Sequence, residues 1–225
     1  MLRRSIPGFR SRTTLILFAS GLCSYAAGAV LAANHDYFEW DLHLARFIQS
    51  FQSPWIKPFM VWVSAFGSGW LAVALVVAAG LTLIAARYRI EGLICLAGLG
   101  IGRLVTSLLK LVSDRPRPND SLVQISRAFH EMSFPSGHVI FFVEFFGFML
   151  FLTYVLAKPS LARTAGIVAL STMITLVGVS RVYLGAHWPS DVIGGYIAGG
   201  LWLMLMIEVY SRQTARAKTR TNPAA

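Results

Sequence analysis

Ser180-Arg181-Val-Tyr-Leu-Gly-Ala-His187-Trp-Pro-Ser-Asp191 joins two apolar segments, and its reading decides that of the whole chain. It sets a cation, a histidine and, four residues after the histidine, a carboxylate at the point where one segment ends and the next begins. Pro189 has no backbone N–H but suits the first turn of a helix, so a helix is expected to start between Trp188 and Ser190. Asp191 then falls in the first helical turn, with His187 just before it. A carboxylate so placed can reach back to the imidazole, fix its tautomer and raise the basicity of the other ring nitrogen. A histidine held in this way is a nucleophile or a general base.

Working outward, only 13% of the 225 residues are charged and 56% are hydrophobic, against roughly 25% charged in soluble domains. Apolar spans are expected at 13–33, 59–86, 91–109, 138–157, 164–179 and 191–210, most near or above the ~20 residues that cross a ~30 Å hydrocarbon layer. The fold expected is all-α: a polytopic membrane protein with six transmembrane helices in one bundle and short extracytoplasmic interfacial helices. A single domain covers 1–225, with its core at 13–210 and basic tails at 1–12 and 211–225, the second of them disordered. The first apolar stretch exceeds the ~7–15 residues of a signal-peptide core, so it is read as a span. Between the first two spans, Leu44, Phe47, Ile48 and Phe51 recur at helical spacing, which predicts an amphipathic helix on the membrane surface from Phe38 to Phe51. His35 and His43 are read as surface residues of that segment rather than metal ligands.

The net charge of +10 would suggest nucleic acid in a soluble protein, but here it orients the chain. Alternating the spans puts Arg3, Arg4, Arg10, Arg12, Arg87, Arg89, Lys158, Arg163, Arg212, Arg216, Lys218 and Arg220 on one side, which predicts cytoplasmic termini. Cys23 and Cys95 lie inside apolar segments without metal-site spacing and are read as packing residues. Gly98 to Gly102 and Gly195 to Gly199 lack the strand that a nucleotide loop requires, and are read as small faces for close helix packing.

Two further stretches fall on the side opposite the basic loops. Lys110-Leu-Val-Ser-Asp-Arg-Pro-Arg117-Pro118 ends the third span, and Pro135-Ser136-Gly137-His138 opens the fourth. Ser136 suits a helix N-cap and Gly137 permits close backbone approach; the free N–H groups of that first turn favour an anion. The three stretches sum to three cations (Lys110, Arg117, Arg181), a helix N-terminus, two histidines and a carboxylate. Arginine forks match phosphate oxygens, and lysine adds a mobile point charge. Such a set suits a phosphoryl group whose charge spreads over its equatorial oxygens.

Lys-x6-Arg-Pro, Pro-Ser-Gly-His and Ser-Arg-x5-His-x3-Asp, as they stand at 110–118, 135–138 and 180–191, resemble the three signatures of the type 2 phosphatidic acid phosphatase family. The resemblance implies a metal-independent lipid phosphatase of a bacterial inner (cytoplasmic) membrane, without cofactor. In the implied mechanism His187 attacks phosphorus, Asp191 orients it, and His138 protonates the leaving oxygen. Lys110, Arg117, Ser136, Gly137 and Arg181 hold the substrate. Read without the resemblance, the residues leave open which histidine attacks; the carboxylate partner favours His187. The expected partners are a lipid phosphate substrate and membrane lipids, with no nucleic acid. Undecaprenyl diphosphate ranks first by analogy, ahead of phosphatidic acid, phosphatidylglycerol phosphate and lipid A. A haloperoxidase relative would be larger and soluble, and a lipid transporter or binding protein would have no need of a histidine–carboxylate pair.

Two charges lie deeper. Arg103 and Glu144 each sit ~10 Å below the site by helical rise, and an ion pair between them is expected. His130 and Glu131 are read as loop residues within reach of a headgroup, and Glu208 carries no role.

Overall fold

The computed structural model describes residues 11–127 and 131–221. Among them every regular element is a helix: α1 (Arg12–Ala33), α2 (Glu39–Ser50), α3 (Ile56–Ala65), α4 (Gly69–Ala85), α5 (Arg89–Ser113), α6 (Gly137–Leu156), α7 (Leu161–Tyr183) and α8 (Pro189–Thr221). Arg3, Arg4, Arg10 and His130 lie outside the described residues.

Helices α1, α5, α6, α7 and α8 are each long and apolar enough to cross a membrane. The expected second span is instead a broken one, α3 and α4 meeting at a 54° bend. The cause is local: Gly67-Ser68-Gly69 interrupts the apolar run, and Gly69 takes a left-handed φ of +48° that costs glycine nothing. The tail from Ser211, expected to be disordered, continues α8 to Thr221. No glycine or proline interrupts it there, Tyr210 and Thr214 are buried, and Arg212 pairs with Glu208 one turn back.

Helix α6 is central. Of its most apolar window 61% is buried, against 28% or less in α1, α5, α7 and α8, because α5, α7 and α8 all pack on it. Phe142, Phe146 and Phe148 fill the core there. Large side chains such as Leu15, Leu81, Leu104 and Val168 point outward; toward lipid tails that exposure carries no penalty. Of the expected small faces, Gly195 and Gly199 of α8 sit directly against Val139 and Val143 of α6, whereas Gly100 meets nothing within 4 Å.

Helix α2 packs on α7 and α8 with an uncommon polarity. Phe47 and Phe51 at its apolar edge are exposed, while Asp41, Ala45 and Gln49, four residues apart, are buried. Gln49 Nε2 donates to the carbonyls of Gln124 and Tyr183 at 2.7 and 3.1 Å. One face therefore suits a membrane interface while the other braces the protein. The result brings the end of α5, the start of α6, the end of α7 and the start of α8 to one face of the bundle, beside α2 and the α3–α4 break.

Candidate active site

The turn that carries His187 is fixed before any chemistry is considered. Leu184 N closes α7 on Ser180 O at 3.0 Å, and the His187 amide returns to Arg181 O at 3.3 Å. Gly185 lies between them at φ +64°, and a Cβ there would collide with the Gln124 carbonyl. The next helix opens at Pro189, within the expected window, so Asp191 occupies its first turn.

His187 is buried, 2% exposed. Arg117 Nη1 stands 3.2 Å from its Nε2. A guanidinium can only donate, so Nε2 carries the lone pair and the ring proton of the neutral form sits on Nδ1. Burial, and then the positive charges of Arg117, Arg181 and Lys110, push the imidazole well below its ordinary pKa of 6.5, which keeps it neutral. The Asp191 carboxylate is nearby but further than a hydrogen bond: Oδ2 lies 3.6 Å from His187 Nδ1, and the backbone of Ser133 also interacts with the ring.

Asp191 is instead held from the other side. Its Oδ2 accepts from Trp188 N at 2.9 Å and from Ser133 Oγ, and Oδ1 accepts from Arg115 Nη1 at 2.7 Å. Arg115 is wholly buried and bridges to a second buried carboxylate, Asp41 of α2, at 2.9 Å. Asp41 also receives Ser190 N at 2.7 Å and Ser190 Oγ at 2.6 Å. Two carboxylates thus share one guanidinium behind the histidine, and sequence reasoning identified neither Arg115 nor Asp41. The available signal is Arg115-Pro116-Arg117-Pro118, in which the motif assigns a function only to the second arginine.

In front of His187 the cations gather. Lys110 Nζ donates to Glu131 Oε2 at 2.9 Å and to Met132 O at 3.3 Å. Arg117 donates to Glu131 O at 2.7 Å and Ala186 O at 2.8 Å, and its Nη2 lies 4.0 Å from the Glu131 carboxylate. The hydrogen bond and charge of Lys110 hold Glu131 below the usual carboxylate range. Burial lowers Arg117. Arg181, 3% exposed, donates from Nη1 to Ser64 Oγ of α3 at 2.6 Å.

Ser136 stands at the N-cap of α6 but makes no side-chain cap bond; its hydroxyl is buried with no partner. An unsatisfied buried donor at a helix N-terminus is a place where an acceptor-rich anion fits. A Cβ on Gly137 would lie 3.7 Å from Lys110 Cε, so the lysine stem runs over the same turn. His138 follows, with Nε2 2.9 Å from Ser68 Oγ at the α3–α4 break. All eight residues singled out from the sequence as site residues therefore stand at one face. Among the described residues no three acidic, histidine or cysteine side chains group as a metal site would require.

The expected ion pair below this cup does not form: no salt bridge joins Arg103 to Glu144. Glu144 packs instead against Gly102, where a Cβ would lie 2.7 Å from its carboxylate oxygens. Both side chains line one cavity of about 610 Å³ between α4, α5 and α6, otherwise walled by Trp70, Val73, Leu99 and Phe141 and ending at Gly137. A larger polar cavity of about 840 Å³, lined by Arg46, Lys57 and Tyr183, contains neither histidine.

A helical membrane bundle with neutral imidazole, arginine forks and a free helix N-terminus at one face marks the class of membrane phosphatases. The family model described as the PAP2 superfamily matches residues 91–215, and the chain belongs to that superfamily. It is 29% identical to phosphatidylglycerophosphatase B of Bacillus subtilis, over 75% of this chain and 82% of that one. It is 26% identical to an undecaprenyl-diphosphatase of Sulfolobus acidocaldarius, over 80% and 84% of the two chains. The crystal structure of the transmembrane PAP2 type phosphatidylglycerolphosphate phosphatase from Bacillus subtilis superposes with a TM-score of 0.72 at 25% identity, covering 84% of this chain and 96% of that one. The Aquifex aeolicus LpxE structure shares the fold, with a TM-score of 0.60 at 24% identity over 76% and 96%. The chain is an integral membrane lipid phosphatase.

Proposed function

We propose that this single-domain protein hydrolyses a lipid phosphate or diphosphate at the outer leaflet of the cytoplasmic membrane through a phosphohistidine on His187, with undecaprenyl diphosphate as first substrate. The observation that carries the reading is the Arg117–His187 contact: it assigns the ring's lone pair to Nε2, within reach of a cation that also suits a phosphate oxygen, while the buried Ser136 hydroxyl has no partner. Phosphate oxygens take Ser136, the Gly137 turn, Lys110, Arg117 and Arg181. Arg117 turns its Nη1–H from Nε2 to a phosphate oxygen, the freed Nε2 lone pair forms a bond to phosphorus, and the bond from phosphorus to the leaving oxygen breaks. That oxygen keeps the electron pair and takes a proton from His138. Water then gives a proton to His138 and attacks phosphorus; the N–P bond breaks and its electrons return to His187. Asp191 steadies the charge that the ring acquires while phosphorylated.

Undecaprenyl diphosphate is put first on the likeness to the undecaprenyl-diphosphatase of Sulfolobus acidocaldarius. The apolar cavity ending at Gly137 offers a lateral seat for the lipid chain. Phosphatidylglycerol phosphate is the second reading, favoured by the likeness to the Bacillus subtilis protein. The loops at the opposite end of the bundle carry Arg87, Arg89, Lys158 and Arg163, which supports cytoplasmic termini. Phosphate release by detergent-purified protein from undecaprenyl diphosphate, phosphatidylglycerol phosphate, phosphatidic acid and lipid A, with and without chelator, tests the proposal. Fastest turnover of undecaprenyl diphosphate, insensitive to chelator, is expected. Release from none of the four, or only with added metal, contradicts it.

A further inference from the structure

The break in the second span meets the catalytic histidine. Ser68 is the N-cap residue of α4, where a serine hydroxyl ordinarily accepts from a free N–H of the first turn. Here it makes no such bond. Its Oγ lies 3.2 Å from the Ser64 carbonyl and 2.9 Å from His138 Nε2. A hydroxyl has one hydrogen; donated to Ser64 O, it leaves the oxygen lone pairs to accept from Nε2–H. Gly67 supports the same arrangement. A Cβ there would lie 2.8 Å from His138 Cδ2 and 3.0 Å from Phe142, so the missing side chain is what lets the break seat against the ring. The edge bearing Cγ, Cδ2 and Nε2 is thus committed to the break, and Nδ1 lies on the opposite edge.

The geometry points to Ser68 as a positioning residue for proton transfer, acting through His138 and resting on the role of His138 as the acid. With Nε2–H fixed on Ser68 Oγ, the proton delivered to the leaving oxygen departs from Nδ1: the N–H bond breaks, an O–H bond forms, and the neutral Nε2–H tautomer remains. Ser68 stabilises that tautomer, which is also the form whose Nδ1 lone pair accepts the proton of the incoming water. Ser64 ties the same element to the phosphate-binding Arg181, so the bent span sets both an acid and a cation.

A merely structural serine would affect all substrates alike, whereas one acting through an acid matters most when the leaving group is a poor one. The test compares the alkyl phosphate of the lipid panel with the highest turnover against p-nitrophenyl phosphate, whose leaving group needs little protonation. Ser68→Ala is expected to lower kcat/KM for the alkyl phosphate ~10–100-fold, part of the ~10²–10⁴-fold that general acids supply. The loss of kcat/KM on the aryl phosphate should be far smaller, because kcat/KM ends at phosphoryl transfer and leaves out the hydrolysis step that both substrates share, and Ser68→Thr should restore the rate. His138→Gln, run in parallel, should show the same selectivity to a greater degree. Equal loss on both substrates in Ser68→Ala, or no loss, while His138→Gln remains selective would overturn the role of Ser68 alone. Loss without selectivity in His138→Gln would overturn the acid assignment beneath it. The inhibition constant of inorganic phosphate, unchanged in Ser68→Ala, shows that the cup is intact.

Discussion

Removing Asp41 should damage the site from a distance, because its carboxylate is the outer half of the buried cluster behind His187. Its oxygens accept from Arg115 Nη2 at 2.9 Å, Ser190 N at 2.7 Å and Ser190 Oγ at 2.6 Å. Both ion-pair partners are 0% exposed, so water does not substitute for what is lost. In Asp41→Ala the guanidinium keeps Asp191 and the carbonyls of His35 and Asp36 but loses one of two balancing charges. Breaking a buried pair by deleting one partner costs ~3–5 kcal/mol. At ~2–4 °C per kcal/mol for a chain of this size, the unfolding midpoint falls by ~6–20 °C. The assay is thermal unfolding in detergent of Asp41→Ala, Arg115→Met and the double variant. The double variant should cost ~1–3 kcal/mol less than the sum, since both singles break one network. Additive losses below ~1 kcal/mol each would refute the reasoning.

Two further outcomes follow from the electrostatics. The reactive His187 ring is the neutral one, and burial with neighbouring cations depresses its pKa well below 6.5. The acid limb of kcat/KM, corrected for ionisation of the substrate phosphate, therefore falls below pH 6.5, and activity persists as pH drops through that value; a limb at or above it contradicts the assignment. Glu131, whose side chain is 70% exposed, holds Lys110 where a phosphate would bind. Glu131→Gln should lower the inhibition constant of inorganic phosphate ~2–5-fold, the scale of a partly exposed ion pair, and a weaker inhibition in that variant would show that the carboxylate assists binding.

The sequence was most legible where chemistry and chain position coincide. Lys110, Arg117, Ser136, His138, Arg181, His187 and Asp191 stand at helix ends, so a reading of span boundaries already placed them on one face. Arg115 escapes that logic because its partners are distant in sequence: Asp41 lies on a helix whose sequence pattern shows only its apolar edge. Ser64 and Ser68 escaped because an apolar run of this length reads as one unbroken span, and the consequence of Gly67 and Gly69 for helix direction appears only when the bend is seated against His138. The Arg103–Glu144 pair failed for a related reason. Helical rise gave the two residues the same depth but not the same facing, and Gly102 provided Glu144 with a place beside α5 without a cation. The charge of the tail from Ser211 suggests disorder, while Tyr210 and Thr214 turn it inward as helix.

The central claim is that His187 accepts the phosphoryl group, and rapid quenching tests it most directly. The protein is mixed with substrate labelled in the transferred phosphate and stopped in alkali, under which a phosphoramidate survives. Peptide mapping should find the label on His187 in the wild type, and in His138→Gln at higher occupancy with an aryl phosphate, whose leaving group needs little protonation in the first step. Label on His138 instead, or turnover retained by His187→Ala, would contradict the account.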